Sequence, residues 1–268
     1  NRKARLITLS SGKGGVGKTF LSVNLAAALA EEGFRVLIFD GDINFSNVHL
    51  FLHVDISHSF KEFLSGEAEF SALIEKGVGG IDLLYIGDEF RKIKSFTAEE
   101  MERINKGLKE LEYIYDYIIV DMAAGLNAQM IGWLKMASEN LLILNSEIPS
   151  IVDGYRFVKL TKSEKRSIRY SVVVNKVNSM KEAHDAYRRL GALLKKNRIN
   201  SRLSYYGHIL NDGGRVYQSI QRRIPLLLLN KECAVSQAVR RLASKVIGQK
   251  KAGDQAPVLG KIFWETGN

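Results

Sequence analysis

Short, almost uniformly apolar runs alternate along the chain with longer segments of helical periodicity. Strands that are apolar along their whole length are typical of a parallel sheet covered by helices on both faces. The predicted strands span residues 5–10, 35–40, 81–86, 117–121, 140–145, 170–175 and 203–209. The predicted helices span residues 18–32, 98–112, 127–137, 151–162, 181–196, 214–223 and 234–247. This alternation predicts an α/β fold, a single doubly wound domain whose mostly parallel sheet has about seven to eight strands.

Composition divides the chain into one large domain and a short end. Residues 1–248 form the predicted domain, residues 249–257 a polar linker, and residues 258–268 a short apolar segment. A chain of 268 residues can bury a core large enough to need no disulfide or metal staple. The single cysteine, Cys233, excludes a disulfide framework and any site that needs several thiolates. No apolar run reaches the roughly 18 residues of a membrane-spanning helix.

The segment 258–268 carries Val258, Leu259, Ile262 and Phe263 at helical spacing. These side chains would share one face of a short amphipathic helix, which could insert shallowly into a lipid surface. The alternative is a segment that packs on the domain or stays disordered.

Charge is distributed unevenly between the two parts of the chain. Residues 1–150 carry 15 basic and 21 acidic side chains, a balance of −6, whereas residues 151–268 carry 24 basic and 8 acidic side chains, a balance of +16. Such asymmetry favours an anionic partner for the second part, which could be lipid, nucleic acid or an acidic protein. A solvated basic face is the alternative.

A glycine-rich loop follows the first predicted strand. The sequence Gly12–Thr19 satisfies the pattern G-x-x-x-x-G-K-[ST], and a predicted helix begins at Lys18. Glycines let backbone N–H groups converge on phosphate oxygens, and the helix N-terminus adds positive potential. Lys18 can reach the β- and γ-phosphates, and the Thr19 hydroxyl can ligate Mg²⁺. The loop therefore predicts nucleotide binding.

Aspartates stand at the ends of two predicted strands. Asp40 and Asp42 follow the second strand, and Asp121 ends the apolar run 118–121. Because the carboxyl ends of parallel strands line the ligand crevice of an open sheet, we expect these carboxylates beside the glycine-rich loop. Asp121 has the form that holds Mg²⁺, and an aspartate that holds water suits attack on a γ-phosphate.

A second lysine, Lys13, lies inside the loop, and with it the chain resembles the MinD/ParA family of ATPases, which have a deviant phosphate loop. The resemblance implies that ATP holds two copies face to face as a homodimer. It implies three catalytic residues: Lys13 reaches phosphate across the dimer, Lys18 acts within its own subunit, and Asp42 orients the attacking water. It also places Asp40 near Mg²⁺, with Thr19 and Asp121.

The resemblance extends to the nucleotide base. It implies that Asn175 faces the adenine, that Lys176 packs near it, and that the loop 207–212 covers it, with Leu210 where the family usually has proline. Phe20 stands where the family often has a hydroxyl residue. The residues predicted to bind ATP or ADP are Gly12, Lys13, Gly14, Gly15, Val16, Gly17, Lys18, Thr19, Phe20, Asn175, Lys176 and Leu210.

Within the family the chain resembles the flagellar-number regulators of the FlhG, FleN or YlxH type, on the stretches 22–26, 46–48 and 147–155. This implies a cytoplasmic ATPase that associates peripherally with the inner face of the cell membrane and regulates flagellar number or placement. The partners implied are a flagellar SRP-type GTPase and a switch-complex protein.

Other functions remain open on the sequence. The basic second part also fits a ParA-like ATPase that segregates or binds DNA, although DNA is the less favoured partner. A cell-division-site MinD is a further alternative, and so is a nucleotide-gated scaffold with negligible turnover.

Overall fold

A computed structural model of the chain describes residues 3–41, 47–87, 96–125, 128–162 and 168–249. Asp42 and the segment 258–268 lie outside the described residues, so the predictions made for them are not tested by it.

The centre of the fold is an eight-stranded sheet with the strand order β3-β4-β2-β5-β1-β6-β7-β8. Its strands are β1 (Arg5–Ser10), β2 (Val36–Gly41), β3 (Ile74–Lys76), β4 (Ile81–Leu84), β5 (Tyr117–Met122), β6 (Glu139–Leu144), β7 (Arg169–Val177) and β8 (Arg202–Leu210). All neighbouring strands pair in parallel except β3, which pairs antiparallel with β4 at one edge. Their carboxyl ends therefore share one edge of the sheet, where an open α/β fold binds its ligands.

Helices connect the strands and cover both faces of the sheet. The α-helices of the described residues are α1 (Lys18–Glu31), α2 (Val48–Phe51), α3 (Phe60–Ser65), α4 (Ala98–Ile114), α5 (Ala128–Met136), α6 (Ile148–Thr161), α7 (Met180–Lys196), α8 (Gly213–Arg222), α9 (Leu226–Leu229) and α10 (Ala234–Gly248). Two 3₁₀ turns, Phe70–Leu73 and Val78–Gly80, flank β3. Across the described ranges, none of the helices combines the length and the apolarity needed to cross a bilayer.

Two hydrophobic cores lie on opposite faces of the sheet. One core joins buried side chains of α4, α5, α6 and α7, and the other joins those of α1, α9 and α10. Strand β5 shows the division, because Ile118 and Val120 belong to the first core and Ile119 between them belongs to the second. A strand covered on both faces needs apolar side chains at every position, which explains its unbroken apolar run.

The predicted fold class is confirmed, and each of the seven predicted strands and seven predicted helices has a counterpart with ends shifted by a few residues. Strand β3 and the short helices α2, α3 and α9 are not among the predicted elements. These elements are three to six residues long, which is too short for hydrophobic periodicity to reveal. The predicted start of α6 is three residues late, because Pro149 lies inside the first helical turn, where its missing N–H is tolerated.

Candidate nucleotide-binding site

The glycine-rich loop lies between the end of β1 and the start of α1, and side chains hold three of its backbone carbonyls. Ser11 Oγ donates to the carbonyl of Lys13 at 2.7 Å. Lys176 Nζ donates to the carbonyl of Gly15, and Asn175 Nδ2 to the carbonyl of Val16, each at 2.8 Å. Because the C=O and N–H of a trans peptide point in opposite directions, each bound carbonyl turns the next N–H away from its side-chain partner.

Two glycines of the loop are required by their surroundings. Gly17 has φ 95°, a left-handed conformation, and a Cβ there would lie 2.4 Å from Asn175 Nδ2. Gly12 faces the backbone of α6, where a Cβ would lie 2.1 Å from the carbonyl oxygen of Asp153. The loop is therefore packed against β7 at Gly17 and against α6 at Gly12, and these two positions have room for a hydrogen atom only.

The two lysines of the loop have different surroundings. Lys18 Nζ donates to Ser11 Oγ at 3.1 Å, so its ammonium group lies close to the loop backbone. Lys13 Nζ contacts Glu147 Oε2 at 3.1 Å, and the Lys13 side chain is 41% exposed. The hydrogen bond from Lys13 lowers the pKa of the Glu147 carboxyl, with a further contribution from Asn145. Lys13 therefore lies at the surface, paired with the N-cap residue of α6.

Two aspartates meet at the carboxyl edge of the sheet. Asp40 of β2 and Asp121 of β5 are register partners, and both are buried. Asp121 accepts hydrogen bonds from Thr19 Oγ1 at 2.6 Å and from Ser22 Oγ at 3.0 Å. Asp40 Oδ2 accepts from the backbone N–H of Val48 at 3.2 Å. The neighbouring strands thus bring two carboxylates and a threonine hydroxyl together at the start of α1.

These groups fit a magnesium ion. Mg²⁺ prefers hard oxygen ligands and is usually bound by one or two carboxylates together with substrate phosphates. Thr19 and Asp121 already lie within hydrogen-bonding distance, and Asp40 occupies the neighbouring strand at the same level. All three supply oxygen atoms, so this donor set matches the ion that the sequence predicts.

A cavity of about 550 Å³ opens in front of the loop. Nine of the residues predicted to bind nucleotide line it: Gly14, Gly15, Gly17, Lys18, Thr19, Phe20, Asn175, Lys176 and Leu210. Gly12, Lys13 and Val16 do not line it, because Gly12 packs on α6, Lys13 extends to Glu147, and Val16 is buried with its carbonyl bound to Asn175. The volume lies within the range typical of small-molecule sites.

Several apolar residues of this cavity are not among those predicted to bind nucleotide. Phe51 of α2 and Val216 and Ile220 of α8 also line it. The spacing of Val216 and Ile220, one helical turn apart, could have indicated a shared face on α8. No local pattern marks Phe51, because α2 comprises only four residues. These three side chains give the cavity an apolar wall of the kind that suits a flat nucleobase.

The fold and the site together define a P-loop nucleoside triphosphatase. The sheet is mostly parallel, and a glycine-rich loop connects β1 to α1. A lysine and a threonine lie at the start of that helix, and aspartates lie at the ends of two strands. The family model AAA_31, described as an AAA domain, matches residues 4–173. The chain belongs to this family, and within it to the ATP-binding MinD/ParA P-loop ATPases that include the FlhG-type proteins.

Relatives and solved structures show the same grouping. The chain is 28% identical over 250 residues to the antiactivator FleN of Pseudomonas aeruginosa, covering 92% of this chain and 85% of the relative. It is 29% identical over 252 residues to the flagellum site-determining protein YlxH of Helicobacter pylori, covering 93% and 84%. A structure of the MinC:MinD cell division protein complex of Aquifex aeolicus superposes with a TM-score of 0.72 at 27% identity, covering 95% of this chain and 100% of that chain.

Proposed function

We propose that the protein is an ATP-dependent, dimerising ATPase that acts as a nucleotide switch and regulates the number or placement of flagella at the membrane. The observation that carries this proposal is the pair of loop lysines. Lys18 donates to the Ser11 hydroxyl beside the loop, while Lys13 is held at the surface by Glu147. A lysine at the rim of its own site is available to a second subunit that docks on the same face.

The residues divide the work of ATP hydrolysis between them. The loop amides and Lys18 bind and orient the β- and γ-phosphates, and Asp42 positions the water that attacks the γ-phosphorus. Thr19, Asp40 and Asp121 would hold Mg²⁺, which neutralises charge on the phosphate oxygens. Lys13 of one subunit stabilises the developing charge in the other, as an arginine finger does. The products are ADP and phosphate, and their release separates the two subunits.

The flagellar role rests on the relatives. FleN and YlxH are aligned over more than nine-tenths of this chain, and their names refer to an antiactivator and to a flagellum site-determining protein. By analogy, the protein acts in the cytoplasm and associates peripherally with the inner face of the membrane. Its partners would be a flagellar SRP-type GTPase and a switch-complex protein.

The test combines the ATPase rate with molecular mass. The wild type should be a monomer with ADP and a dimer with a non-hydrolysable ATP analogue, as measured by light scattering after size exclusion. Lys13→Ala and Asp42→Ala should each lower kcat by about a hundredfold or more. Lys61→Ala changes an exposed lysine of α3 and serves as the matched control. A monomer in both nucleotide states, or an unchanged rate in Asp42→Ala, would overturn the assignment.

A ParA-like, DNA-binding ATPase is the second candidate, and the +16 charge balance of residues 151–268 favours it. Part of that charge is exposed on α7, where Arg189, Lys195 and Lys196 lie on the solvent side. ATP-dependent binding to nonspecific DNA that weakens steeply with salt would support this candidate. ATP-dependent binding to anionic liposomes without DNA binding would support the flagellar role.

A further inference from the structure

Arg223 joins two helices that line the nucleotide cavity. It follows the last residue of α8, and its backbone N–H donates to the carbonyl of Ile220 at 3.0 Å. Its guanidinium donates to three carbonyls around the C-terminal end of α2: those of Leu50 at 3.3 Å, His49 at 3.4 Å and Val54 at 3.1 Å. The residue that caps α8 therefore donates hydrogen bonds to carbonyls at the end of α2, where the His49 carbonyl also accepts from the backbone N–H of Val54 at 3.2 Å.

The backbone of Arg223 is itself unusual. Its φ is 54°, in the left-handed region that favours glycine at the end of a helix. A residue with a long side chain is strained there, and such strain persists where the surrounding structure requires it. Glycine would suit this backbone conformation better, so replacing Arg223 with glycine removes the guanidinium without adding backbone strain.

The two helices connect the cavity to a proposed magnesium ligand. On α8, Val216 and Ile220 line the cavity. On α2, Phe51 lines the same cavity, and the first N–H of the helix, that of Val48, donates to Asp40 Oδ2. A continuous set of contacts thus runs from the apolar wall, through α8 and Arg223, to α2 and the Asp40 carboxylate.

Helix α2 needs an external hold because it has only four residues. A helix this short does not form by itself, since nucleation costs more than so few hydrogen bonds return. Cationic side chains that bind the last carbonyls of a helix satisfy acceptors with no partner inside it. The planar fork of arginine can reach several carbonyls at once, whereas the point charge of lysine cannot do so in the same geometry.

We propose that Arg223 is a positioning residue that holds α2 between the base-binding wall and Asp40, so that a nucleotide seated against α8 fixes the Asp40 carboxylate. This inference rests on the proposed ATP-binding function of the site. It makes the base, and not only the phosphates, a determinant of how firmly the metal-binding carboxylate is held.

The test uses Arg223→Gly, which removes the guanidinium and leaves a residue suited to the left-handed backbone. Arg198→Gly is the matched control, because Arg198 also has positive φ, 55°, at the end of α7 and its side chain is exposed. The full chain is titrated with a fluorescent ATP analogue over a series of MgCl₂ concentrations, and ATP hydrolysis is measured in parallel. Thermal unfolding checks that all variants are folded.

In Arg223→Gly we expect the MgCl₂ concentration for half-maximal tightening of analogue binding to rise about tenfold, the equivalent of one hydrogen bond to a charged group. The affinity without MgCl₂ should change by less than about twofold, and kcat should fall by about tenfold. Arg198→Gly should have the MgCl₂ dependence of the wild type. Arg223→Lys should have a MgCl₂ dependence between those of the wild type and Arg223→Gly.

Three results would overturn the proposal: an unchanged MgCl₂ dependence in Arg223→Gly, an equal loss of affinity at every MgCl₂ concentration, or the same change in Arg198→Gly. The proposed ATPase function can fail separately. A wild type that binds the analogue without hydrolysing ATP refutes that function, while the MgCl₂ dependence of binding still decides the role of Arg223.

Discussion

Gly12→Ala is the substitution whose effect follows most directly from the packing of the loop. A Cβ on Gly12 would lie 2.1 Å from the carbonyl oxygen of Asp153, 2.3 Å from its carbonyl carbon and 2.8 Å from the nitrogen of Gly154. All three atoms belong to the backbone of α6, so no side chain can rotate away to make room. Either the loop or the first turns of α6 must move, by an amount close to 1 Å at the tightest contact.

The size of the effect follows from the cost of overpacking. Inserting one methyl group into a closely packed site costs about 1–3 kcal/mol. For a domain of this size, each kcal/mol corresponds to a shift in Tm of roughly 2–4 °C, so we expect Gly12→Ala to unfold about 2–12 °C below the wild type. A displaced loop also moves its N–H groups, so binding of an ATP analogue should weaken in parallel.

Gly14→Ala is the matched control within the same loop. The nearest atom to a Cβ on Gly14 is Ala124 Cβ at 3.9 Å, an ordinary contact, and Gly14 has no positive φ. Because alanine restricts the unfolded chain more than glycine, this variant should retain wild-type stability or gain up to about 1 kcal/mol. Differential scanning fluorimetry measures both variants. A Gly12→Ala protein that unfolds within about a degree of both Gly14→Ala and the wild type would refute the packing argument.

Three further substitutions test contacts elsewhere in the fold. Asn175→Ala removes the side chain that donates to the Val16 carbonyl, and we expect the Kd of a fluorescent ATP analogue to rise about tenfold. An unchanged Kd would contradict the view that this hydrogen bond holds the loop in shape. Tyr115→Phe removes a buried hydroxyl that donates to Asp82 at 2.6 Å, and should lower the free energy of unfolding by about 1–3 kcal/mol; an unchanged urea midpoint would count against it. Burial, with contributions from nearby charged groups, lowers the pKa of the His208 imidazole below its ordinary value. The unfolded chain therefore binds a proton at His208 more readily than the folded chain does. The free energy of unfolding should consequently fall as the pH drops below about 6.5. His208→Gln should flatten that loss between about pH 7 and pH 5, and parallel pH profiles of Tm would disprove it.

The sheet was predictable because its strands are covered on both faces. Tyr117–Met122 begins with four apolar residues and carries Asp121 next to its end, so the sequence indicates both the strand and the carboxylate at its carboxyl end. The same rule brings Asp40 to Asp121, because the carboxyl ends of parallel strands share an edge. Strand β3 was not predicted because its three residues, Ile74–Lys76, are two half-buried and one exposed side chain and carry no such pattern.

The parts of the site that the sequence did not reveal depend on contacts between distant segments. Lys13 and Glu147 are 134 positions apart, and Arg223 reaches Leu50 across 173 positions. Nothing near Arg223 in the sequence indicates that its guanidinium caps a helix built from residues 48–51. The family resemblance assigns Asn175 to the base, whereas its amide nitrogen also binds the loop backbone, a role that only the packing of β7 against the loop reveals.

These contacts explain how the loop is shaped before any phosphate arrives. Ser11, Lys176 and Asn175 hold the carbonyls of Lys13, Gly15 and Val16 from outside the loop. The next N–H in each case therefore points the other way, and those amides need not turn over when an anion binds. When the loop is already in its binding conformation, the free-energy cost of ordering it on ligand binding is smaller. Two of these three side chains, Asn175 and Lys176, come from the end of β7 and also line the cavity, so the same strand holds the loop and forms part of the cavity wall. A nucleotide that contacts both should consequently bind more tightly than its triphosphate alone.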